Sequence, residues 1–274
     1  MVKFLQAVFL GIVQGFTEFL PVSSSAHLNI FPWLFHWESA ESYDLALHIG
    51  TLLAILVYFF KDWIALIVGG FNTVVKKERS ANGRLFWYLV IATVPAGLLG
   101  KLMEHFVDKA LEGNLNGQMI VISIALIVMG VLLYLADSRC KTKFSLQKMP
   151  FKQGFLIGLS QALAGAIPGV SRSGVTMTAA RCFGLDREGA ARYSFLLSAP
   201  MVAGAALMSI GEFGENMTAV GGLAAFLGGI IASFITGFLV IHFFMKFLKK
   251  GSLKGFAIYR VAFGLLIIVI ALVR

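Results

Sequence analysis

The sequence predicts an all-α polytopic membrane protein: about six transmembrane helices plus two re-entrant helical hairpins, related as an inverted-topology repeat. Three observations carry this reading. First, 58% of the 274 residues are apolar and 14% charged, and mean hydropathy is +0.84, too apolar for a disordered chain or an ordinary soluble domain. Second, two segments repeat each other, and each breaks at its centre at a proline followed by hydroxyl residues. A shift of 147 lays Phe4, Gln6, Gly11, Gln14, Pro21 and Ser24 on Phe151, Gln153, Gly158, Gln161, Pro168 and Ser171 without a gap. Third, the loops between apolar stretches alternate between basic and acidic.

In chain order, residues 4–35 form the first broken segment, read as a half-helix in, a turn at membrane depth and a half-helix out. Such backbone is tolerated only within a protein bundle or beside a water-filled cavity. Apolar spans follow at 43–61, 85–103 and 118–136, with the shorter 62–75 stretch lying at the interface. The second hairpin covers 151–183, and spans at 190–210, 219–245 and 256–273 complete the chain. Glycines at 94–100 and 219–238 read as helix-packing residues. The repeat halves, 1–136 and 151–274, make one integral membrane domain over 1–274. The first segment resembles a signal peptide, but Gln14, Thr17 and Glu18 interrupt its apolar run and the chain copies it later, so it reads as mature structure.

Loop charge sets the orientation. Lys76, Lys77, Arg79 and Arg84 mark one cytoplasmic loop, and Arg139, Lys141, Lys143, Lys148 and Lys152 a second. Arg181, Arg187 and Arg192 mark a third, and Lys246, Lys249, Lys250 and Lys254 a fourth. The alternate loops hold Glu38 and Glu41; Glu104, Asp108 and Glu112; Glu212 and Glu215. Both termini then lie outside, the first hairpin enters from outside and the second from the cytoplasm, so the repeats are inverted. The same rule accounts for the net charge of +9 without a nucleic-acid partner. Cys140 and Cys182 fall on the cytoplasmic side, where no disulfide framework is expected.

The first hairpin reads GIVQGFTEFLPVSSSAHL. Gln14 and Glu18 are four apart and share a helix face, and Pro21 ends the half-helix. Any of Ser23, Ser24 and Ser25 can cap the next one. His27 lies one turn past Ser24, so hydroxyl and imidazole are placed to touch beside a carboxylate, the arrangement of an activated nucleophile. A lone intramembrane histidine reads as packing, but a charged residue at mid-helix costs about 2.5–3.5 kcal/mol, and this cluster holds more than one polar group.

The second hairpin reads QALAGAIPGVSRSGVTMTAAR. Gly169 and Gly174 let backbone approach a ligand, and a new half-helix offers free N–H groups to an anion. Arg172 supplies a planar fork for phosphate or carboxylate oxygens, with Ser171, Ser173 and Thr176 as hydroxyl donors. Alternatively Arg172 neutralises Glu18 as a buried pair, which is compatible in an empty site. Gln14 and Gln161 support the two tips. Asp44 and His48, four apart at the start of the first span, are read as bordering the site or pairing with each other. His36, His105 and His242 read as interfacial, and Arg181 and Arg192 as serving topology.

Brought together near the midplane, the tips make an acid/base and nucleophile set facing an oxyanion cradle, which suits phosphoryl transfer. A carboxylate beside phosphate also suits Mg²⁺ or Ca²⁺, with Glu18 as the ligand. The rival reading is a transporter or flippase for a polyprenyl phosphate or anion, which would use the same arginine and helix ends but has no need of Ser24, His27 and Glu18 together.

The two tips resemble the paired motifs of the bacterial undecaprenyl-diphosphate phosphatases of the bacitracin-resistance type: (E/Q)-x-x-x-E followed by P-x-S-S-[ST]-x-H, and P-G-x-S-R-S-G. The similarity covers essentially the whole chain. It implies hydrolysis of undecaprenyl diphosphate to undecaprenyl phosphate and phosphate. That reaction recycles the lipid carrier of peptidoglycan at the outer side of the plasma membrane and confers bacitracin resistance. It places functional positions on Gln14, Glu18, Ser24, His27, Ser171, Arg172 and Ser173, and implies a divalent cation, a polyprenyl diphosphate substrate and surrounding membrane lipids. Many members carry Glu where this chain has Gln14, which shifts the acid/base work here to Glu18 and His27.

Overall fold

The computed structural model describes residues 2–37, 41–111, 115–208 and 221–274. The described residues are helical apart from short turns and one isolated bridge between Phe144 and Leu185. The first hairpin is α1 (Val2–Phe19) and α2 (Ser24–Phe35). Then come α3 (Glu41–Tyr58), α4 (Phe60–Val75), α5 (Ala81–Leu111) and α6 (Leu115–Arg139). The second hairpin is α7 (Phe151–Leu159), α8 (Ala162–Ala166) and α9 (Arg172–Phe183). The chain closes with α10 (Arg187–Met208), α11 (Leu223–Leu248) and α12 (Lys254–Val273).

Among the described residues five helices are long and apolar enough to cross a membrane, at 81–107, 115–139, 187–208, 223–248 and 254–273. The bent pair α3–α4, which turns by 77°, makes a sixth if taken as one span. The 62–75 stretch is therefore a helix of its own, starting at Phe60 and leaving the line of α3. The span expected from 219 begins at Leu223. Glu38, Glu112, Glu212 and Glu215 lie outside the described residues.

The repeat is visible as matched helix packing. In the first half, α1 carries a row of small residues four apart, Ala7, Gly11 and Gly15. A Cβ on Gly11 would collide with Gly229 of α11, and one on Gly15 with Thr236 and Gly237. In the second half, Gly154, Gly158 and Ala162 occupy the positions 147 further on. Gly154 meets Tyr88 of α5, Gly158 meets Ala92, and Gly100 lies against Ala162. Small residues let two backbones approach where burial of apolar surface gives little drive between helices in lipid.

At the tips the register changes. Ser23 and Ser171 are the matched N-caps, with φ of 77° and 70°, and their hydroxyls accept from Ala26 N (3.3 Å) and Gly174 N (3.1 Å). The shift here is 148, not the gapless 147 expected. Gly169 is the extra residue, and its φ of +93° explains why a glycine takes the insertion. Ser24 therefore corresponds to Arg172 rather than to Ser171, and Ser25 to Ser173. The entry strokes also differ: α1 runs unbroken, whereas its counterpart breaks at Ser160 and Gln161 into α7 and α8.

The two tips are pinned to each other. Ser25 Oγ accepts from Gly169 N (3.5 Å), and Ser173 Oγ donates to Leu20 O (3.0 Å). Arg260 of α12 is fully buried and donates to four carbonyls: Pro21 O (3.1 Å) on the first tip, Gly169 O (2.9 Å) and Val170 O (3.0 Å) on the second, and Leu126 O (3.2 Å) on α6. On the side marked basic by the loops, Asp137 accepts from Arg187 Nε (2.6 Å) and Nη2 (3.1 Å) and from Leu253 N (3.0 Å), with Arg181 Nε at 3.6 Å. Arg181 is thus a buried structural residue rather than a topology charge alone, and Arg192 pairs with Asp62. Cys140 and Cys182 are free thiols with Sγ atoms 3.6 Å apart.

Replacing Arg260 by Met takes this donor from the tip carbonyls of Pro21, Gly169 and Val170, while Leu126 O keeps the bond of its own helix. Each such group costs about 1–3 kcal/mol. The expected result is a loss on the order of 3 kcal/mol, read as a clear fall in the unfolding midpoint of the detergent-solubilised protein. An unchanged midpoint would show that Arg260 does not hold the tips.

Candidate active site

The site is built where α2 and α9 begin. A helix start leaves N–H groups unpaired and carries partial positive charge. In α2 the Ser23 cap takes Ala26 N, and in α9 the Ser171 cap takes Gly174 N, which leaves the amides at 24–25 and 172–173 as first-turn donors. Both caps sit at positive φ, a backbone conformation that serine rarely adopts and that clusters at functional sites. Two helix N-termini therefore converge from opposite hairpins.

Glu18, 5% exposed at the end of α1, is the hub. Its Oε1 is paired with Arg172 Nη2 of the other hairpin. Its Oε2 accepts from Ser24 Oγ (2.6 Å) and Gln14 Nε2 (3.2 Å), and His48 Nε2 of α3 lies 3.5 Å away. The i,i+4 expectation for Gln14 and Glu18 is thus met by a hydrogen bond. A buried carboxylate needs such partners, because burial without them costs several kcal/mol. The guanidinium of Arg172 spends only Nη2 on Glu18; Nη1 is buried without a partner, a charged donor available to an anion.

The expected contact between Ser24 and His27 does not form. His27 Nδ1 donates to Ser23 O (2.7 Å), and its Nε2 lies in hydrogen-bond contact with Tyr259 Oη of α12, also at 2.7 Å. The ring stacks on Phe263, centroids 4.7 Å apart, and on Tyr259 at 5.8 Å. One helical turn brings Ser24 and His27 to the same end of α2, but the hydroxyl turns to the carboxylate and the imidazole to α12. The partner positioned to take the Ser24 proton is Glu18.

Other expected ligands have different duties. Ser171 and Ser173 lie 3.2 Å apart, as Ser23 and Ser25 do, one as a cap and one as a cross-tip pin. Thr176 faces inward: Oγ1 donates to Arg172 O (2.7 Å) and lies 2.7 Å from Ser194 Oγ of α10, so it is spent on helix packing. The close approach at Gly174 is by Arg260 Nη1, and at Gly169 by Ile122 O, so these glycines admit protein rather than ligand. Gln161 is buried with neither amide atom partnered, so unlike Gln14 it makes no hydrogen bond to Glu18.

Three residues joined the site unannounced by motif. His48 was legible only as a polar residue bordering the site, and its contact is with Glu18. Its Nδ1 lies 2.7 Å from the Asp44 carbonyl oxygen. Tyr259 and Arg260 sit inside a predicted span, where an arginine is costly enough to mark a function on its own. A groove of about 670 Å³ opens beside the first tip, lined by Phe16, Leu20, Val22, Phe247, Phe256 and Tyr259 among others.

A divalent cation is compatible with the donors in one way. Among the described residues no group of three His, Cys, Asp or Glu side chains could hold a metal. Gln14 Oε1, however, is fully buried without a partner beside Glu18, a hard oxygen of the kind Mg²⁺ and Ca²⁺ take. These two oxygens suit a cation whose remaining ligands come with a phosphate.

Comparison with known proteins fits this geometry. Residues 7–266 match the family described as bacitracin resistance protein BacA. The chain is 46% identical over 270 residues to a Caldicellulosiruptor bescii protein, covering 98% of each, and 45% identical over 270 residues to one from Pelotomaculum thermopropionicum, covering 98% and 97%. A Geobacter metallireducens protein is 42% identical over 261 residues, 95% of each chain, and all three are named undecaprenyl-diphosphatase. With broken hairpins meeting over one buried carboxylate and a match of this extent, the chain belongs to the bacitracin resistance protein BacA family.

Proposed function

We propose that this chain hydrolyses undecaprenyl diphosphate to undecaprenyl phosphate and inorganic phosphate. The observation that carries the reading is Ser24 Oγ at 2.6 Å from a carboxylate that is itself tied to Arg172 of the opposite hairpin. A hydroxyl with a base in hydrogen-bond reach, beside a guanidinium with one donor to spare, suits in-line attack on a phosphate.

In the first step the diphosphate lies on Arg172 Nη1 and the first-turn amides of α9, and Ser24 Oγ attacks the terminal phosphorus. Its proton passes to Glu18, and undecaprenyl phosphate leaves with the bridging oxygen. In the second step water attacks the phosphoserine, Glu18 returns its proton to Ser24 Oγ as the Ser24 O–P bond breaks, and both protons of the water leave with the phosphate product as dihydrogen phosphate. Arg172 and the helix ends stabilise the charge that builds on the phosphoryl oxygens. A divalent cation held by Glu18 and Gln14 Oε1 would neutralise further diphosphate charge. His27, locked between Ser23 O and Tyr259, orients the start of α2. The groove along α1, α11 and α12 is lined mostly by apolar side chains, which suits a segment of the isoprenoid tail. The loop charges support a bacterial plasma-membrane setting with both termini outside, and the site serves carrier-lipid recycling on the outer side.

The test is phosphate release from a detergent-solubilised polyprenyl diphosphate. Ser24→Ala and Glu18→Gln are each expected to lower kcat by roughly 10²–10⁴, the usual worth of an acid/base pair. Arg172→Ala is expected to lower it by about 10²–10³. Near-normal turnover by Ser24→Ala would move the attack to water or His27. Chelation of divalent ions should depress activity, and Mg²⁺ or Ca²⁺ should restore it; full activity in excess chelator would remove the cation from the scheme.

A further inference from the structure

We propose that Tyr259 is a positioning residue through which the substrate's isoprenoid tail orders the catalytic tip. The inference rests on the reading of this site as a polyprenyl diphosphatase, and it gives the tail a part in turnover as well as in binding. Tyr259 belongs to two places at once. Its side chain lines the groove beside the first tip, together with Phe16, Leu20, Val22 and Phe256. Its Oη lies 2.7 Å from His27 Nε2. The linkage continues along the first hairpin: His27 Nδ1 donates to Ser23 O (2.7 Å), and Ser23 is the strained cap with φ of 77°. Ser24, the attacking residue, follows it directly in the chain. A hold on the Tyr259 ring is therefore a hold on the turn that aims Ser24 Oγ. Phe263, one turn further along α12, braces both rings, its centroid 4.7 Å from His27 and 5.5 Å from Tyr259.

Protein alone braces Tyr259 incompletely. The residue is 43% exposed, so Phe263 and His27 cover one part of it and leave the rest open. An isoprenoid chain in the groove packs against that open part and limits the ring's freedom to turn away from His27. The groove is continuous with the catalytic tip, because Leu20 and Val22 flank the Pro21 that follows Glu18 on the same hairpin. Its other end lies at Ser252 and Gly255, where α12 begins. A Cβ on Gly255 would meet no atom within 4 Å, so this end has room for a chain to continue. Binding energy from a part of the substrate remote from the phosphorus is then used to align the nucleophile. In that case a truncated substrate loses kcat as well as affinity. Misplacement of a reacting group by about 1 Å is enough to be costly.

The experiment compares phosphate release from undecaprenyl diphosphate and from dimethylallyl diphosphate, whose single isoprene unit is too short to fill the groove, by the protein in lipid nanodiscs. The wild type is expected to turn over the long substrate with the higher kcat. Tyr259→Phe keeps the ring in the groove and removes only the hydroxyl. It is expected to lower kcat for the long substrate by roughly three- to tenfold, the usual worth of one hydrogen bond, with little change in KM, and to lower kcat for the short one by less than about twofold. Gly255→Phe fills the groove away from the tip. It is expected to raise KM for the long substrate by about tenfold, the worth of a few buried apolar groups, and for the short one by less than about twofold, and turnover of the short substrate reports that the variant is folded. Equal losses on both substrates in Tyr259→Phe, or no loss on either, would overturn the proposal. So would equal wild-type kcat for the two substrates, or an unchanged KM for the long one in Gly255→Phe. Release of no phosphate from either substrate by the wild type would instead overturn the diphosphatase reading, and this inference with it.

Discussion

One buried carboxylate holds this site together. Glu18 sits at the end of α1 where water cannot solvate it, so its charge must be answered by the protein. Arg172 answers from the other hairpin, and Ser24, Gln14 and His48 share the second oxygen. Because the partners come from α1, α2, α3 and α9, the need to neutralise one side chain fixes the relative placement of both halves. The same need orients the Ser24 hydroxyl and leaves one face of the Arg172 guanidinium unspent.

The pseudo-symmetry of the tips explains how a duplicated element came to hold two different tools. Each tip has a strained serine cap, a variable residue, and a serine that reaches across to the other tip. The variable position is Ser24 in one copy and Arg172 in the other. Closely similar turns thus present a hydroxyl from one copy and a guanidinium from the other, both to the carboxylate of Glu18. The cost of the two positive-φ serines, on the order of 1–3 kcal/mol each, is sustained only because the surroundings over-determine the turn. Arg260 is much of that surrounding: its four carbonyl partners lie on both tips and on α6.

The bundle around the tips follows the rules of packing in lipid. Small residues at four-residue spacing bring α1 against α11 and α7 against α5, and these contacts are the two halves' versions of one interface. The small-residue rows hold the 147-residue register that the tips break. Helix contacts tolerate no insertion without rotating a face, whereas a glycine at positive φ lets a turn absorb one residue.

Composition, loop charge and the repeat were enough to read an all-helical membrane domain with two broken hairpins, because periodic apolar spans and charge bias are local properties of the chain. Glu18, Ser24 and Arg172 were legible for the same reason: polar residues at a break in a span are expensive and need a purpose. Which of them touch was not legible. One turn of helix places Ser24 near both Glu18 and His27, and only the approach of Tyr259 from α12, some 230 residues away, decides that the imidazole turns to that helix and the hydroxyl to the carboxylate. His48 gave only the hint of a polar border, and Arg260 the hint of an arginine in a span. Their partners are carboxylate and carbonyl oxygens on other elements, and contacts between elements distant in sequence are set by packing rather than by local pattern.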